Sequence, residues 1–172
     1  MTTRDFSSLS GRVVLVTGGA GHIGSTLASA FLQQGCSVVT ADLMESPAFG
    51  DIDGCHTHLR VDLANLAVVA ELPSRVVHAF GRLDIVVCAA AFVGTSASEG
   101  WTVPFEEQDE SMWDHVLAVN LTANFALLKA AAEPLAASGA GSVILVSSTY
   151  AIVAPQPSLY EGLPINNPAG YA

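Results

Sequence analysis

The segment that most constrains the fold is Thr17–Gly24, a glycine-rich stretch that reads TGGAGHIG. It follows the apolar run Val13–Val16 and precedes apolar residues at helical spacing. A strand, a glycine turn and a helix in this order form the context in which proteins bind the pyrophosphate of a dinucleotide. The helix N-terminus offers free N–H groups to the phosphates. The sequence therefore predicts a dinucleotide-binding turn formed by Gly18, Gly21, His22, Ile23 and Gly24.

A carboxylate follows the next apolar run. Residues Val38–Ala41 are typical of a buried strand, and Asp42 comes directly after them. An acid at the end of the second strand suits a hydrogen bond to the adenosine ribose hydroxyls, and it would repel a 2′-phosphate. The sequence therefore predicts NAD rather than NADP as the cofactor.

Strand and helix patterns alternate along the chain. We expect strands at residues 13–17, 37–41, 57–61, 84–88 and 142–147, and helices over 23–34, 65–80 and 109–137. Pro73 should break or kink the second helix. The alternation predicts one α/β domain over residues 1–172, a Rossmann-type doubly wound parallel sheet in three layers. Ligands of such sheets lie at the carboxyl ends of the strands.

Composition limits the environment and the partners. Hydrophobic residues make up 51% of the 172 residues, which suits a parallel sheet covered on both faces. The net charge of −10 argues against nucleic acid or an anionic membrane as a partner. No apolar run reaches the roughly 18 residues of a membrane span, and the N-terminus lacks the apolar core of a signal peptide. Three scattered cysteines, Cys36, Cys55 and Cys88, indicate free thiols and a cytoplasmic location.

Several later segments resemble the short-chain dehydrogenase/reductase family. They are the glycine turn, Asp62–Leu63, the fourth strand with its turn (DIVVCAAA), the helix segment VNL around Asn120, and the fifth strand GSVILVSS. The resemblance implies that Asp62, Leu63, Ala89, Ala90 and Ala91 contact the cofactor, and that Asn120 and Ser148 are catalytic. Asp62 has an alternative role as the N-cap of the next helix. Thr149 is the alternative to Ser148.

The chain also departs from the family's pattern. Cys88–Ala91 replaces a turn usually written N-N-A-G, so small size is kept while the amide contacts are lost. The glycine spacing is that of the family's extended branch, which mostly acts on nucleotide sugars. The long helix and the segment Gly141–Ser148 resemble the non-extended branch instead, so both branches remain open.

The family's chemistry implies a catalytic tyrosine followed four residues later by a lysine. Tyr160 has Pro164 at that position, which argues against it. Tyr171 follows a segment that resembles the family's approach to its tyrosine, and we expect it to be the acid/base residue. Its lysine would then lie beyond Ala172, since Lys129 is the one lysine in the sequence. We therefore expect this sequence to be a piece of a longer chain that lacks the family's last strands.

The resemblance implies an NAD(H)-dependent oxidoreductase that interconverts an alcohol and a ketone on a small, sugar-like or nucleotide-sugar substrate. One alternative is an extended-type epimerase or dehydratase with tightly held NAD. A second alternative is a catalytically inactive NAD-binding module. The family resemblance also implies a homodimer or a homotetramer.

Two other groups of side chains leave more than one interpretation. His56 and His58 have strand spacing and should face one side, but no third ligand at suitable spacing supports a metal site. Trp101, Phe105 and Trp113 either pack under a loop or line the edge of a substrate pocket. His115 should lie on the surface of its helix.

Overall fold

A computed structural model describes residues 7–49, 55–94, 98–163 and 165–171. The strands are β1 (Val13–Thr17), β2 (Ser37–Asp42), β3 (His56–Arg60), β4 (Ile85–Cys88) and β5 (Ser142–Leu145). The helices are α1 (His22–Gln33), α2 (Leu66–Phe80), α3 (Glu110–Leu117) and α4 (Ala123–Ala137). A π-helical turn, Ala118–Thr122, joins α3 to α4.

All strand pairs are parallel, and the order across the sheet is β3-β2-β1-β4-β5. This arrangement confirms the predicted fold class. Because the strands are parallel, Thr17, Asp42 and Cys88 end at the same edge of the sheet. The reversal of strand order between β1 and β4 opens a crevice at that edge, where ligands of such sheets bind.

The core has two halves, one on each face of the sheet. On one face, α2 and α4 bury an apolar layer that includes Leu15, Leu72 and Leu127. On the other face, α1 packs against Val14, Val16 and neighbouring strand residues. Strand β5 lies at one edge of the sheet, and the apolar residues Val143–Val146, in this strand and directly after it, are 41–57% exposed.

The helix ends follow ordinary capping rules. The side chain of Asn65 accepts a hydrogen bond from the Val68 N–H at the start of α2, which ends at Gly81 with φ +77°. Asp109 caps α3 by accepting from the N–H groups of Ser111 and Met112. Of the break or kink predicted at Pro73, the break is wrong, because α2 continues through this residue. Pro73 lies on the buried face of α2, where packing outweighs the missing hydrogen bond.

The continuous helical run Glu110–Ala137 is long and apolar enough, by length and composition alone, to cross a membrane. In this fold, its α4 part packs against α2 and β4 and contributes four buried residues to the core. It also carries Asn120 in its π-helical turn.

Candidate functional site

The glycine turn connects β1 to α1 through close backbone contacts. Gly18 has φ +69°, and a Cβ built there would lie 2.6 Å from the Cα and N of Ala90. A Cβ at Gly24 would overlap the Gly18 carbonyl oxygen and lie 2.7 Å from its carbon. Gly21 is the N-cap of α1, and His22 and Ile23 are exposed in the first helical turn. Only glycine fits at 18 and 24, and the turn leaves the N-terminus of α1 open to a ligand.

Asp42 joins this turn to the loop that follows β2. Its Oδ2 accepts a hydrogen bond from the Ala20 N–H at 2.9 Å, and its Oδ1 accepts from the Met44 N–H at 3.0 Å. The carboxylate is half-buried and borders the crevice between β1 and β4. It is therefore fixed in position, and each of its oxygens keeps a second lone pair for a ribose hydroxyl.

A cavity of about 350 Å³ lies where the strand ends converge. Eight of the predicted cofactor residues line it: Gly18, Gly21, Asp42, Asp62, Leu63, Ala89, Ala90 and Ala91. Gly24 is not part of this lining; it packs closely against the backbone of Gly18 and Gly19. The lining also includes residues that the sequence reasoning did not assign: Leu43, Met44, Val61, Phe92, His115 and Val119. A bare glycine turn, a helix N-terminus and an acceptor carboxylate around one cavity fit the adenosine and phosphate groups of a dinucleotide.

Asp62 also lines this cavity. Its Oδ1 accepts from the Ala64 N–H at 2.9 Å, which forms a local turn after β3. The cap of α2 is Asn65, so the alternative interpretation of Asp62 as that cap is wrong. Asp62 is exposed beside the cavity, where an adenine amino group could reach it.

Asn120 is tied to the segment that follows β4. Its Oδ1 accepts from the Phe92 N–H at 2.6 Å, and its Nδ2 donates to the Phe92 carbonyl at 3.2 Å. Asn120 lies within the π-helical turn, a feature that often accompanies functional sites. The Phe92 ring contacts the His115 ring edge-to-face, with centroids 4.8 Å apart. His115 is exposed on the helix, as predicted, yet it also lines the cavity.

Ser148 and Tyr171 each contact Tyr150, Ser148 at its backbone N–H and Tyr171 at its ring. Ser148 Oγ accepts from the Tyr150 N–H at 3.2 Å, and the Tyr150 ring contacts the Tyr171 ring with centroids 6.2 Å apart. The Tyr150 and Tyr160 hydroxyls lie 3.1 Å apart, and this hydrogen bond raises the pKa of Tyr160. A raised pKa leaves an even smaller fraction of Tyr160 ionised near neutral pH. The cavity lining contains neither Ser148 nor Tyr171, so their catalytic roles stay predictions.

Gln108 fixes the backbone just before Tyr171, a link that the sequence reasoning missed. Its Nε2 donates to the carbonyls of Asn167 (3.2 Å) and Val103 (3.3 Å), and its Oε1 accepts from the Ala169 N–H (2.9 Å). One amide therefore connects the loop before α3 to the turn Ala169–Tyr171. The residues are about sixty positions apart in sequence, so no local pattern indicated the contact.

The three aromatic residues lie around one loop and one cavity. Trp101 is buried and donates its indole N–H to the Val93 carbonyl at 2.8 Å, so it packs under the loop. Phe105 and Trp113 are exposed, and all three aromatic residues line a second cavity of about 570 Å³ that also touches Ala169 and Gly170. This second cavity borders the turn that carries Tyr171.

The cysteines and the possible metal ligands are the remaining candidate groups. Burial raises the pKa of the Cys88 thiol to about 11, so the thiol stays neutral beside the cavity. Cys36, Cys55 and Cys88 are free thiols, as predicted. Within the described ranges, His, Cys, Asp and Glu form no group of three or more that could hold a metal ion.

The sheet order, the glycine turn and the cavity define a dinucleotide-binding α/β domain of the Rossmann type. The family model described as short chain dehydrogenase matches residues 12–160. The chain therefore belongs to the short-chain dehydrogenase family, which confirms the resemblance seen in the sequence.

Curated relatives cover most of this chain. D-threitol dehydrogenase of Mycolicibacterium smegmatis is 33% identical over 152 residues, which is 85% of this chain and 56% of that protein. 2,5-Dichloro-2,5-cyclohexadiene-1,4-diol dehydrogenase LinX of Sphingobium indicum is 34% identical over 146 residues, 81% of this chain and 56% of that protein. The chain thus spans little more than half the length of these relatives.

Solved structures share the fold. A short chain dehydrogenase from Leptospira borgpetersenii with bound NAD+ has a TM-score of 0.80 at 24% identity, covering 99% of this chain and 63% of that one. NAD+-bound xylitol dehydrogenase has a TM-score of 0.79 at 21% identity, covering 95% of this chain and 59% of that one. At these identities the similarity establishes the architecture.

Proposed function

We propose that this chain is the cofactor-binding and central part of an NAD(H)-dependent oxidoreductase that interconverts a secondary alcohol and a ketone. The observation that carries the proposal is the cavity at the carboxyl ends of the strands, where the glycine turn and Asp42 meet. The relatives named as threitol and diol dehydrogenases support a small polyol or diol as the substrate class. They favour a dehydrogenase over the epimerase or dehydratase alternative.

Each residue has a defined part in this proposal. The N–H groups at the start of α1 bind the pyrophosphate, and Asp42 accepts hydrogen bonds from the adenosine ribose. The charge of Asp42 disfavours a 2′-phosphate, so NAD is preferred. Asp62 and Leu63 border the adenine. Ala89, Ala90 and Ala91 keep the crevice free of large side chains, so that a flat ring can lie against their backbone.

When bound, NAD+ supplies the hydride acceptor of the reaction. Tyr171 takes the proton of the substrate hydroxyl, while Ser148 donates a hydrogen bond to the same oxygen. Asn120 holds the segment at Phe92 in place and orders a water in the proton relay. A free phenol has a pKa near 10, so Tyr171 requires a nearby cation to act near neutral pH. In this family that cation is a lysine four residues after the tyrosine.

We also infer a cytoplasmic homodimer or homotetramer that acts on a small molecule. The free cysteines are consistent with a reducing compartment. The net charge of −10 disfavours anionic polymers as partners. We infer a single functional domain over residues 1–172.

The decisive experiment measures cofactor binding and turnover on the same preparation. NADH is titrated by its fluorescence, and NAD+ reduction is then followed with a panel of polyols and cyclic diols. Saturable NADH binding, with turnover that Tyr171→Phe abolishes, supports the proposal. Binding without turnover in the protein at its natural length would establish the inactive-module alternative. Cofactor that copurifies and does not exchange with added NADH would favour the epimerase alternative, and absence of NADH binding would overturn the proposal.

A further inference from the structure

Two histidines on β3 share one buried hydroxyl on β2. Thr40 is fully buried, and its Oγ1 lies 2.8 Å from His56 Nε2 and 2.9 Å from His58 Nδ1. The opposite side of the His58 ring faces the loop after β2, where its Nε2 lies 3.0 Å from the carbonyl oxygen of Met44. These contacts form one continuous chain of hydrogen bonds from His56 to Met44.

The donors and acceptors along this chain follow from its last member. A carbonyl oxygen only accepts, so His58 Nε2 carries a hydrogen and donates it to Met44. In the neutral ring, Nδ1 is then an acceptor, and the Thr40 hydroxyl donates to it. The Thr40 oxygen in turn accepts from the Nε2–H of His56. Every polar atom named here has a partner, so the neutral network holds His58 in one tautomer and one orientation.

The network holds a loop that lines the dinucleotide cavity. Leu43 and Met44 border the cavity, and their side chains are 58% and 66% exposed. Besides His58, the β3 residue Arg60 donates its Nε–H to the Leu43 carbonyl at 3.1 Å and pairs with Glu45 at 3.4 Å. Two side chains of β3 therefore form hydrogen bonds with the backbone of the loop that would contact the adenosine.

The same network contacts the glycine turn through Thr40. A Cβ built on Gly19 would lie 2.6 Å from the Thr40 methyl carbon, so the glycine turn rests directly on Thr40. Thr40 thus supports the turn with its methyl group and orients His58 with its hydroxyl. Thr40 is therefore the residue of this network that contacts both the glycine turn and His58.

We propose that His58, oriented by Thr40 and His56, is a positioning residue that sets the Leu43–Met44 loop for binding of the adenosine half of the dinucleotide. The inference rests on the proposed function. It adds a determinant of cofactor affinity on β3, a strand that does not itself line the cavity. His58 acts through the Met44 carbonyl and does not touch the cofactor.

A matched pair of variants isolates the bond to Met44. In His58→Gln, the side-chain amide nitrogen reaches the place of Nε2 and can still donate to the Met44 carbonyl. In His58→Asn, the shorter side chain reaches only the place of Nδ1, so this donor is lost. We expect NADH to bind about fivefold more weakly to His58→Asn, the size expected for one net hydrogen bond, and within about twofold of wild type to His58→Gln. Thr40→Val, which keeps the shape and removes the hydroxyl, should weaken binding similarly.

Fragments of the cofactor separate positioning from general damage to the fold. ADP-ribose should lose affinity by the same factor as NADH in His58→Asn, whereas nicotinamide mononucleotide should bind as it does to wild type. His78→Gln, an exposed histidine in the last turn of α2, serves as the control and should change neither. Thermal unfolding of each variant reports whether it is folded, and if Thr40→Val does not fold, the His58 pair decides.

The outcomes separate this inference from the proposed function. Wild-type affinity for NADH and ADP-ribose in His58→Asn would overturn the positioning role while leaving the dehydrogenase proposal intact. Equal losses in His58→Asn and His58→Gln would also overturn it, because the bond to Met44 would then not be the cause. Wild-type protein that binds neither NADH nor ADP-ribose would refute both proposals together.

Discussion

Gly24→Ala should destabilise this protein even though alanine is the better helix former. Gly24 lies in the first turn of α1, and a Cβ there would overlap the Gly18 carbonyl oxygen and lie 3.0 Å from the Gly19 Cα. These opposing atoms are backbone, so no side chain can rotate away. Gly18 cannot retreat either, since it already touches the backbone of Ala90.

The magnitude follows from two opposing effects. Alanine gains up to about 1 kcal/mol over glycine inside a helix. Overpacking a close contact costs about 1–3 kcal/mol, and the rigid backbone partners place this case in the upper half of that range. The net loss of unfolding free energy is about 1–2 kcal/mol, which lowers Tm by about 2–8 °C for a chain of this size. The displaced turn should also bind NADH at least about tenfold more weakly, because a binding site tolerates displacements of only about 0.5 Å.

Circular dichroism during heating measures Tm, and NADH fluorescence measures affinity. Ser25→Ala, at the next position of α1, is the control, because it changes only a peripheral hydroxyl that bonds the His22 carbonyl. It should keep Tm and affinity close to those of wild type. If Gly24→Ala instead kept or raised Tm with unchanged NADH affinity, the close-packing argument for this turn would be refuted.

Three further predictions test single groups. Asp42→Asn removes the charge that faces the ribose, so the ratio of the NADPH to the NADH dissociation constant should fall about fivefold, as expected for about 1 kcal/mol of repulsion. An unchanged ratio in paired titrations of the two cofactors would contradict this prediction. Buried Asp84 bonds Arg82 and the Val13 N–H, so Asp84→Asn should lower the urea-measured unfolding free energy by about 1–3 kcal/mol. Burial would raise the pKa of Asp84, but its hydrogen bonds to Arg82 and Val13 and the charges of Arg82 and Arg12 together lower it. The stability that Asp84 contributes is therefore fully present above about pH 3.9 and is lost as pH falls through the lower folded-state pKa. Asp84→Asn should show no such loss. Burial, and then the charge of His58, lower the pKa of His56, so the unfolding free energy should decrease as pH falls below about 6.5. In urea titrations, His56→Gln should make the unfolding free energy less dependent on pH in this range. The same pH dependence in wild type and variant would contradict the role given to His56.

The regular elements were predictable because their apolar patterns are strong and local. Strand β1 occupies the predicted residues, and α2 spans Leu66–Phe80 against a prediction of 65–80. The failure at Pro73 shows the limit of local rules, because burial of the α2 face against α4 and the sheet decides whether the helix continues. The carboxyl edge of the sheet, and with it most of the cavity lining, followed from strand order.

The unpredicted part of the site consists of contacts between distant segments. The sequence placed His56 and His58 on one side of a strand, yet their partner Thr40 became visible only when the register of β2 and β3 was known. Gln108 had no local signal for its bonds to Asn167 and Ala169. Tyr150 had no assigned role, although its ring contacts Tyr171 across twenty-one positions of sequence.

The alanines after β4 explain how the chain departs from its family's usual turn and still keeps the crevice. A Cβ on Gly18 would lie 2.6 Å from the Ala90 backbone, and the Ala89 N–H donates to the Thr17 carbonyl at 3.2 Å. Both contacts involve backbone atoms of the alanine segment, so they do not depend on amide side chains in this turn. The side-chain hydrogen bonds in this region come instead from Asn120, whose amide bonds both the N–H and the carbonyl oxygen of Phe92. The loss of asparagine and glycine from the turn is therefore compatible with an intact crevice, whereas a larger side chain at Gly18 is not.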